Sequence, residues 1–178
     1  MSRPSARHEL VQTALELASQ IGLRALTFDG LAAESGKTKG GILYHFPSKE
    51  HLVRAVLAHL LDEWDADALR HLDGPFDTAT REDRIVAFLL SAIESTTESV
   101  GELSVLIDVM RDDAYAAMWI ELRDRWVGDV ATLTRTQQIA LAAADGIWID
   151  DAMQQPPFSP ADRDEVVAEL MRMVRGGA

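Results

Sequence analysis

Apolar residues recur along this chain at three- and four-residue spacing, and nowhere do they alternate with period two long enough to form a strand. Leu10, Ala14, Leu17, Ala18 and Ile21 make one stripe over residues 9–21, and Gly22 offers a stop. Thr27 is placed to cap a short helix carrying Phe28, Leu31, Ala32 and Ala33, which Gly36 ends. Thr38 caps a second short segment that runs to His45, and Pro47 breaks it by disfavouring helix in the residue before it. Ser48 then opens a long helix reaching about residue 72, with Leu52, Val53, Val56, Leu57, Leu60, Leu61 and Trp64 along one side. After the break at Asp73-Gly74-Pro75, stripes predict helices near 79–97, 101–110, 113–134, 136–152 and 160–175. The proline-rich segment 154–160 is the late loop. The expected class is all-α, with a domain over residues 1–50, a linking helix at about 48–72 and a helical domain over 51–178.

Two short helices joined by a tight Gly-containing turn, after a longer helix, make a helix-turn-helix. Here residues 27–35 are the first short helix, Gly36-Lys37 the turn, and residues 38–45 the candidate recognition helix. Such a helix enters the major groove N-terminal end first while its neighbours clamp phosphates. Lys37 and Lys39 flank its start, where free backbone amides also favour anions. Gly40 and Gly41 each cost roughly 1 kcal/mol against alanine in a helix interior. Two in succession suit a backbone that another molecule approaches closely. Tyr44 and His45 offer polar tips to phosphate oxygens. On periodicity alone, a plain helical hairpin with Tyr44 and Phe46 in its core remains open.

Charge changes the picture by its distribution. The net charge of −12 looks wrong for a nucleic-acid binder, yet residues 1–50 hold six Lys/Arg against five Asp/Glu, while the rest hold eleven against twenty-four. All three lysines, Lys37, Lys39 and Lys49, fall within thirteen positions. Phosphate binding needs local positive charge, not a basic total. With no cysteine, disulfides, zinc-thiolate sites and thiol nucleophiles are excluded. The polar opening Met1–His8 and the short apolar runs give neither a leader nor a membrane span, so the expected location is the cytoplasm.

The run Thr38-Lys39-Gly40-Gly41-Ile42-Leu43-Tyr44-His45-Phe46-Pro47-Ser48-Lys49-Glu50-His51-Leu52, with the helices before it, resembles the tetracycline-repressor (TetR) family over about residues 6–56. The resemblance implies a three-helix DNA-binding domain, a linking fourth helix, and a ligand-binding and dimerisation domain, usually in a repressor. Residue by residue, it implies DNA contacts from Thr27, Thr38, Lys39, Gly40, Gly41, Tyr44, His45, Ser48 and Lys49, with Lys37 as an added phosphate contact. Phe46 matches a buried aromatic that seats the recognition helix. Two positions depart from the pattern: Leu43 stands where an aromatic is common, and either contacts a thymine methyl or packs, packing being the favoured expectation; Lys37 replaces the usual apolar residue before the cap.

The implied partners are double-stranded DNA with a pseudo-palindromic operator, a second copy of the chain, and a small apolar or amphipathic effector. Leu106, Met110, Met118, Trp119, Leu122 and Trp126 are the expected effector lining, since aromatics and methionines can shape an adaptable pocket. The dimer seam is expected on the last two helices through Ala143, Ile147, Val167, Leu170, Met171 and Val174, beside small residues Ala140, Ala144 and Gly146. Control by a protein partner, or activation instead of repression, stays open within the same class.

Other chemistry is poorly supplied. No cofactor and no catalytic residue is expected, because no P-loop, dinucleotide fingerprint or nucleophile elbow occurs. The Asp112/Asp113 and Asp150/Asp151 pairs read as caps or solvated faces. His51, His59 and Glu63 have a spacing that permits metal ligation, but a helix-surface ion pair is its commoner meaning.

Overall fold

In the computed structural model, residues 5–94, 99–109, 111–156 and 158–176 are described, and everything regular among them is helical. The helices are α1 (Ala6–Ile21), α2 (Phe28–Ser35), α3 (Lys39–His45), α4 (Lys49–Arg70), α5 (Arg81–Ile93), α6 (Ser99–Val109), α7 (Asp113–Val127), α8 (Arg135–Ala152) and α9 (Pro160–Val174), with 3-10 turns at 76–78 and 130–132. Hydroxyl caps start most of them. Ser5, Thr27, Thr38, Thr80, Thr134 and Ser159 each accept a backbone N–H from the first turn of the helix that follows.

The chain divides into two compact units: residues 1–63 with 100–118, and residues 64–99 with 119–178. Most of α6 and the first turns of α4 and α7 join the N-terminal helices in the first unit. Its core is Leu10, Val11, Ala14, Leu26, Leu31, Ile42, Phe46, Leu52 and Val56, so α1 to α4 share one apolar centre. Ile21, expected on the α1 stripe, is exposed. Gly101 brings α6 close against α1: a Cβ there would lie 2.4 Å from Ser19 Cβ.

The second unit packs α5, α8 and α9 together, burying Ile85, Leu89, Ala140, Ala144, Ile147, Leu170 and Val174. Gln137 completes a capping box with Thr134 and donates from Nε2 to the Val174 carbonyl at 3.1 Å, tying α8 to the end of α9. The Arg163 guanidinium pairs with Asp151 and donates to the Ile93 carbonyl at 2.7 Å, joining α9, α8 and the C-terminus of α5.

The single helix expected over 113–134 is interrupted. Gly128 adopts a left-handed φ of 75°. The Arg81 guanidinium donates to the carbonyls of Val127 and Asp129 at 2.8 and 2.9 Å, satisfying acceptors that continued helix would have used. The apolar stripe runs on past this break because Leu133 is still buried, so periodicity alone could not mark it.

Candidate nucleic-acid interface

Three consecutive caps build the candidate reading surface. Thr27 Oγ1 accepts from Gly30 N at 3.0 Å, and Thr38 Oγ1 accepts from Gly41 N at 3.1 Å. Ser48 Oγ accepts from His51 N at 3.4 Å and meets His51 Nδ1 at 2.7 Å. Gly36, with φ 65°, lets the chain reverse between α2 and α3. Each cap is worth about 1 kcal/mol to its helix, so the starts of α2, α3 and α4 are held individually.

α3 is anchored by Ile42 and, just beyond it, Phe46, both essentially inaccessible. The Arg7 guanidinium covers the Phe46 ring at 5.2 Å. On the other side of α3, Tyr44 is 84% exposed, far more than any packed tyrosine would be. The plain-hairpin alternative, which needed Tyr44 in a core, is therefore excluded. Leu43 was expected to pack; it is 38% exposed instead, because the short helix has room for few inward positions and Ile42 takes the central one. The two glycines differ. A Cβ on Gly41 would crowd Thr38 Oγ1 at 3.2 Å, whereas one on Gly40 would meet nothing within 4 Å. Packing within the chain thus gives Gly40 no reason to be glycine, and its bare backbone faces open space.

Of the ten expected contact residues, Thr27, Lys37, Thr38, Lys39, Gly40, Gly41, Tyr44 and Lys49 are exposed, while His45 and Ser48 are half-buried. All ten belong to the first unit. The three lysines already have acceptors: Lys37 pairs with Glu9 at 3.6 Å, Lys39 with Asp29 at 2.9 Å, and Lys49 Nζ donates to the Arg24 carbonyl at 2.5 Å. Sequence reasoning missed these acceptors, since Glu9 and Asp29 are local acids whose pairing depends on how the helices cross.

Arg24 was also missed, and so was its partner in α6. Asp108 accepts from Arg24 N at 3.3 Å and pairs with its side chain at 3.7 Å. An open cleft of about 580 Å³ lies beside this clasp, lined among others by Arg24, Lys49, Arg54, Asp108, Asp112 and Tyr115. Burial, followed by the charges of Glu50 and Asp112, pushes the Tyr115 hydroxyl above its usual pKa, despite Arg54 over its ring at 5.5 Å.

The expected effector lining is distributed over both units. Leu106 and Met118 are half-buried in the first; Trp119 is half-buried and Leu122 buried in the second; Met110 lies outside the described residues. Trp126 is fully enclosed, with its indole N–H donating to Asp65 at 2.8 Å and Phe76 edge-on at 5.0 Å. It is a core residue here. Trp119 instead joins a group of half-buried rings, with Trp64 at 5.4 Å and Phe88 at 6.0 Å, and Trp148 lies 6.3 Å from Trp64.

The expected seam residues also separate. Ile147, Leu170 and Val174 are buried within the chain's own second unit, and Ala143, Val167 and Met171 are half-buried. The outward side of α8 instead carries Ile139, Ala142, Gly146, Ile149 and Met153, all exposed. Their alternating spacing of three and four residues makes one continuous exposed stripe along the helix, distinct from the expected residues.

His59 Nε2 lies 3.5 Å from Glu63, and its ring meets His8 edge-on at 5.2 Å, while His51 turns to Ser48. Among the described residues no three His, Asp or Glu side chains are grouped to hold a metal ion, and no helix is long and apolar enough to cross a membrane.

The family model for bacterial regulatory proteins of the tetR family matches residues 10–56, and the model for the tetracyclin repressor-like C-terminal domain matches residues 82–175. The chain is 27% identical over 126 residues to the transcriptional repressor KstR2 of Rhodococcus jostii, a match spanning 68% of the chain and 62% of that relative. It is 23% identical over 195 residues to KstR2 of Mycolicibacterium smegmatis, covering 99% of the chain and 92% of the relative. The same fold occurs in the multidrug binding protein EbrR complexed with malachite green (TM-score 0.67, 21% identity, 96% of this chain and 98% of that one). It also occurs in a transcriptional regulator from Saccharomonospora viridis in complex with choline (TM-score 0.68, 19% identity, 96% and 95%). With one model covering the helix-turn-helix and another more than half of the chain, the protein belongs to the TetR family of DNA-binding transcriptional regulators.

Proposed function

We propose that the chain is a homodimeric repressor that inserts two copies of α3 into successive major-groove faces of a pseudo-palindromic operator and leaves it when a small amphipathic molecule binds. The observation that carries the DNA half is the bare, unobstructed backbone at Gly40 beside the exposed Tyr44, on a helix whose opposite side is anchored by Ile42. Phosphate contacts come from the caps at Thr27, Thr38 and Ser48 and from Lys37, Lys39, His45 and Lys49. Two-fold symmetry of the protein is matched by two half-sites. The outward α8 stripe from Ile139 to Met153, with Val167 and Met171 of α9, is the seam between copies.

The half-buried rings of Trp64, Phe88, Trp119 and Trp148 support an amphipathic effector held in the second unit. Related folds were solved with malachite green and with choline, both cations, and the acidic balance of residues 51–178 suits a cation here too. An effector acts only through unequal affinity for two states, favouring a separation of the α3 helices that misfits the half-sites. Typical coupling of 1–3 kcal/mol corresponds to roughly 5- to 150-fold in DNA affinity.

Selection from random duplexes tests the reading, and a palindromic sequence is expected to emerge. Tyr44→Ala and Lys49→Ala should then weaken binding with helicity intact. Lys49→Ala should also flatten the log–log salt dependence by about one unit. Failure to enrich any palindrome at low salt refutes it.

A further inference from the structure

Two of the three lysines on the reading surface are engaged by carboxylates of the same unit. Lys39 Nζ sits 2.9 Å from Asp29 Oδ2, and Lys37 Nζ sits 3.6 Å from Glu9 Oε2. Neither pair is sequestered: the Lys39 and Asp29 side chains are 52% and 76% accessible, those of Lys37 and Glu9 46% and 38%. Both acids stand in the first turn of a helix, Glu9 in α1 and Asp29 in α2, where the helix dipole favours them. Lys39 is the first residue of α3, where the same dipole disfavours a cation. Its ammonium therefore has particular use for an anion, and an aspartate or a DNA phosphate would meet the same need.

We propose that Asp29 and Glu9 are intramolecular competitors of DNA phosphates, holding Lys39 and Lys37 in ion pairs that any duplex must exchange and so lowering affinity for DNA of every sequence. This rests on the assignment of both lysines to phosphate contacts. On binding, each lysine trades a carboxylate for a phosphate, and the net gain is the difference between two similar interactions. The displaced carboxylate then stands beside the polyanion and retains cations that would otherwise be released. The salt dependence is therefore shallower than the number of lysine–phosphate contacts implies. Exposed ion pairs of this kind are weak, so each should reduce affinity by only about 1.5- to 5-fold.

The test is a double-mutant cycle on the full chain, read by fluorescence anisotropy with a fluorescein-labelled random-sequence duplex at several salt concentrations. Asp29→Asn should tighten binding by about 2- to 5-fold at low salt and steepen the log–log slope. In a Lys39→Ala background that gain should shrink to the effect of Glu34→Gln, which removes an exposed acid from the same helix and reports bulk charge alone. An equal gain from Asp29→Asn with and without Lys39, or no gain at all, overturns the competition. Should Lys39→Ala fail to weaken binding, the phosphate assignment of Lys39 falls, and the proposal for that pair with it. Melting curves check that Asp29→Asn keeps α2 intact. If they show that α2 is loosened, the parallel cycle of Glu9→Gln with Lys37→Ala decides between the same outcomes.

Discussion

Substituting Gly101 by alanine sets two physical effects against each other. Helix propensity alone favours alanine over glycine inside α6 by roughly 1 kcal/mol. The packing says the opposite. A Cβ at Gly101 would lie 2.4 Å from Ser19 Cβ, 2.9 Å from its Oγ and 3.1 Å from its Cα. Carbon atoms ordinarily settle about 3.5–4.0 Å apart, so α6 and α1 would have to separate by more than about 1 Å. Overpacking typically costs about 1–3 kcal/mol, and so deep an overlap belongs in the upper part of that range. The net expectation is a loss of about 1–2 kcal/mol, or roughly 2–8 °C in melting temperature for a chain of this size. Ser19→Gly removes two of the three offending atoms. Alone it should lower stability by about 0.5 kcal/mol through propensity. Combined with Gly101→Ala it should restore much of the loss, a non-additivity that contact at this point requires. Thermal and urea unfolding followed by circular dichroism measure all four proteins. Gly101→Ala as stable as the parent, or strictly additive effects in the double variant, would refute the reasoning. The stakes are functional, because Gly101 and Asp108 of α6 meet α1 and the turn after it. A separation there should also change DNA affinity.

Two further outcomes follow from the second unit. Ile149→Asp, on the outward side of α8, should give a folded monomer in sedimentation, whereas Leu170→Asp should unfold the unit because Leu170 is buried within it; a dimeric Ile149→Asp moves the seam elsewhere. Although Asp145 lies at an exposed position, crowding around its carboxyl desolvates it and raises its pKa, more than nearby Arg123 lowers it. A raised folded pKa means stability that is present at low pH and lost as pH rises through it, so Asp145→Asn should melt higher than the parent at pH 7, with the advantage shrinking toward pH 4. A melting temperature unchanged or lower at pH 7 contradicts this.

What the sequence by itself determined is local. The caps at Thr27, Thr38 and Ser48, the turn at Gly36, the stop at Pro47 and the three-lysine cluster depend on neighbours a few residues away. The inward role of Phe46 came with the TetR resemblance and agrees with its burial. Helix class and order were legible for the same reason, since one apolar stripe encodes one buried side.

Tertiary structure decided everything that depends on which buried side meets which partner. Ile147, Leu170 and Val174 look like a free seam along the chain, yet α5, α8 and α9 close over them, and the outward stripe begins at Ile139. Trp126 shares its spacing with Trp119, but Asp65, far away in sequence, takes its indole N–H and makes it core. The helix break at Gly128 depends on Arg81, almost fifty positions earlier, reaching the freed carbonyls. The lysines read as open phosphate contacts until helix crossing brings Glu9 and Asp29 beside them. Periodicity reports that a position is buried or a charge exposed; it carries no information about the group that long-range packing sets against it.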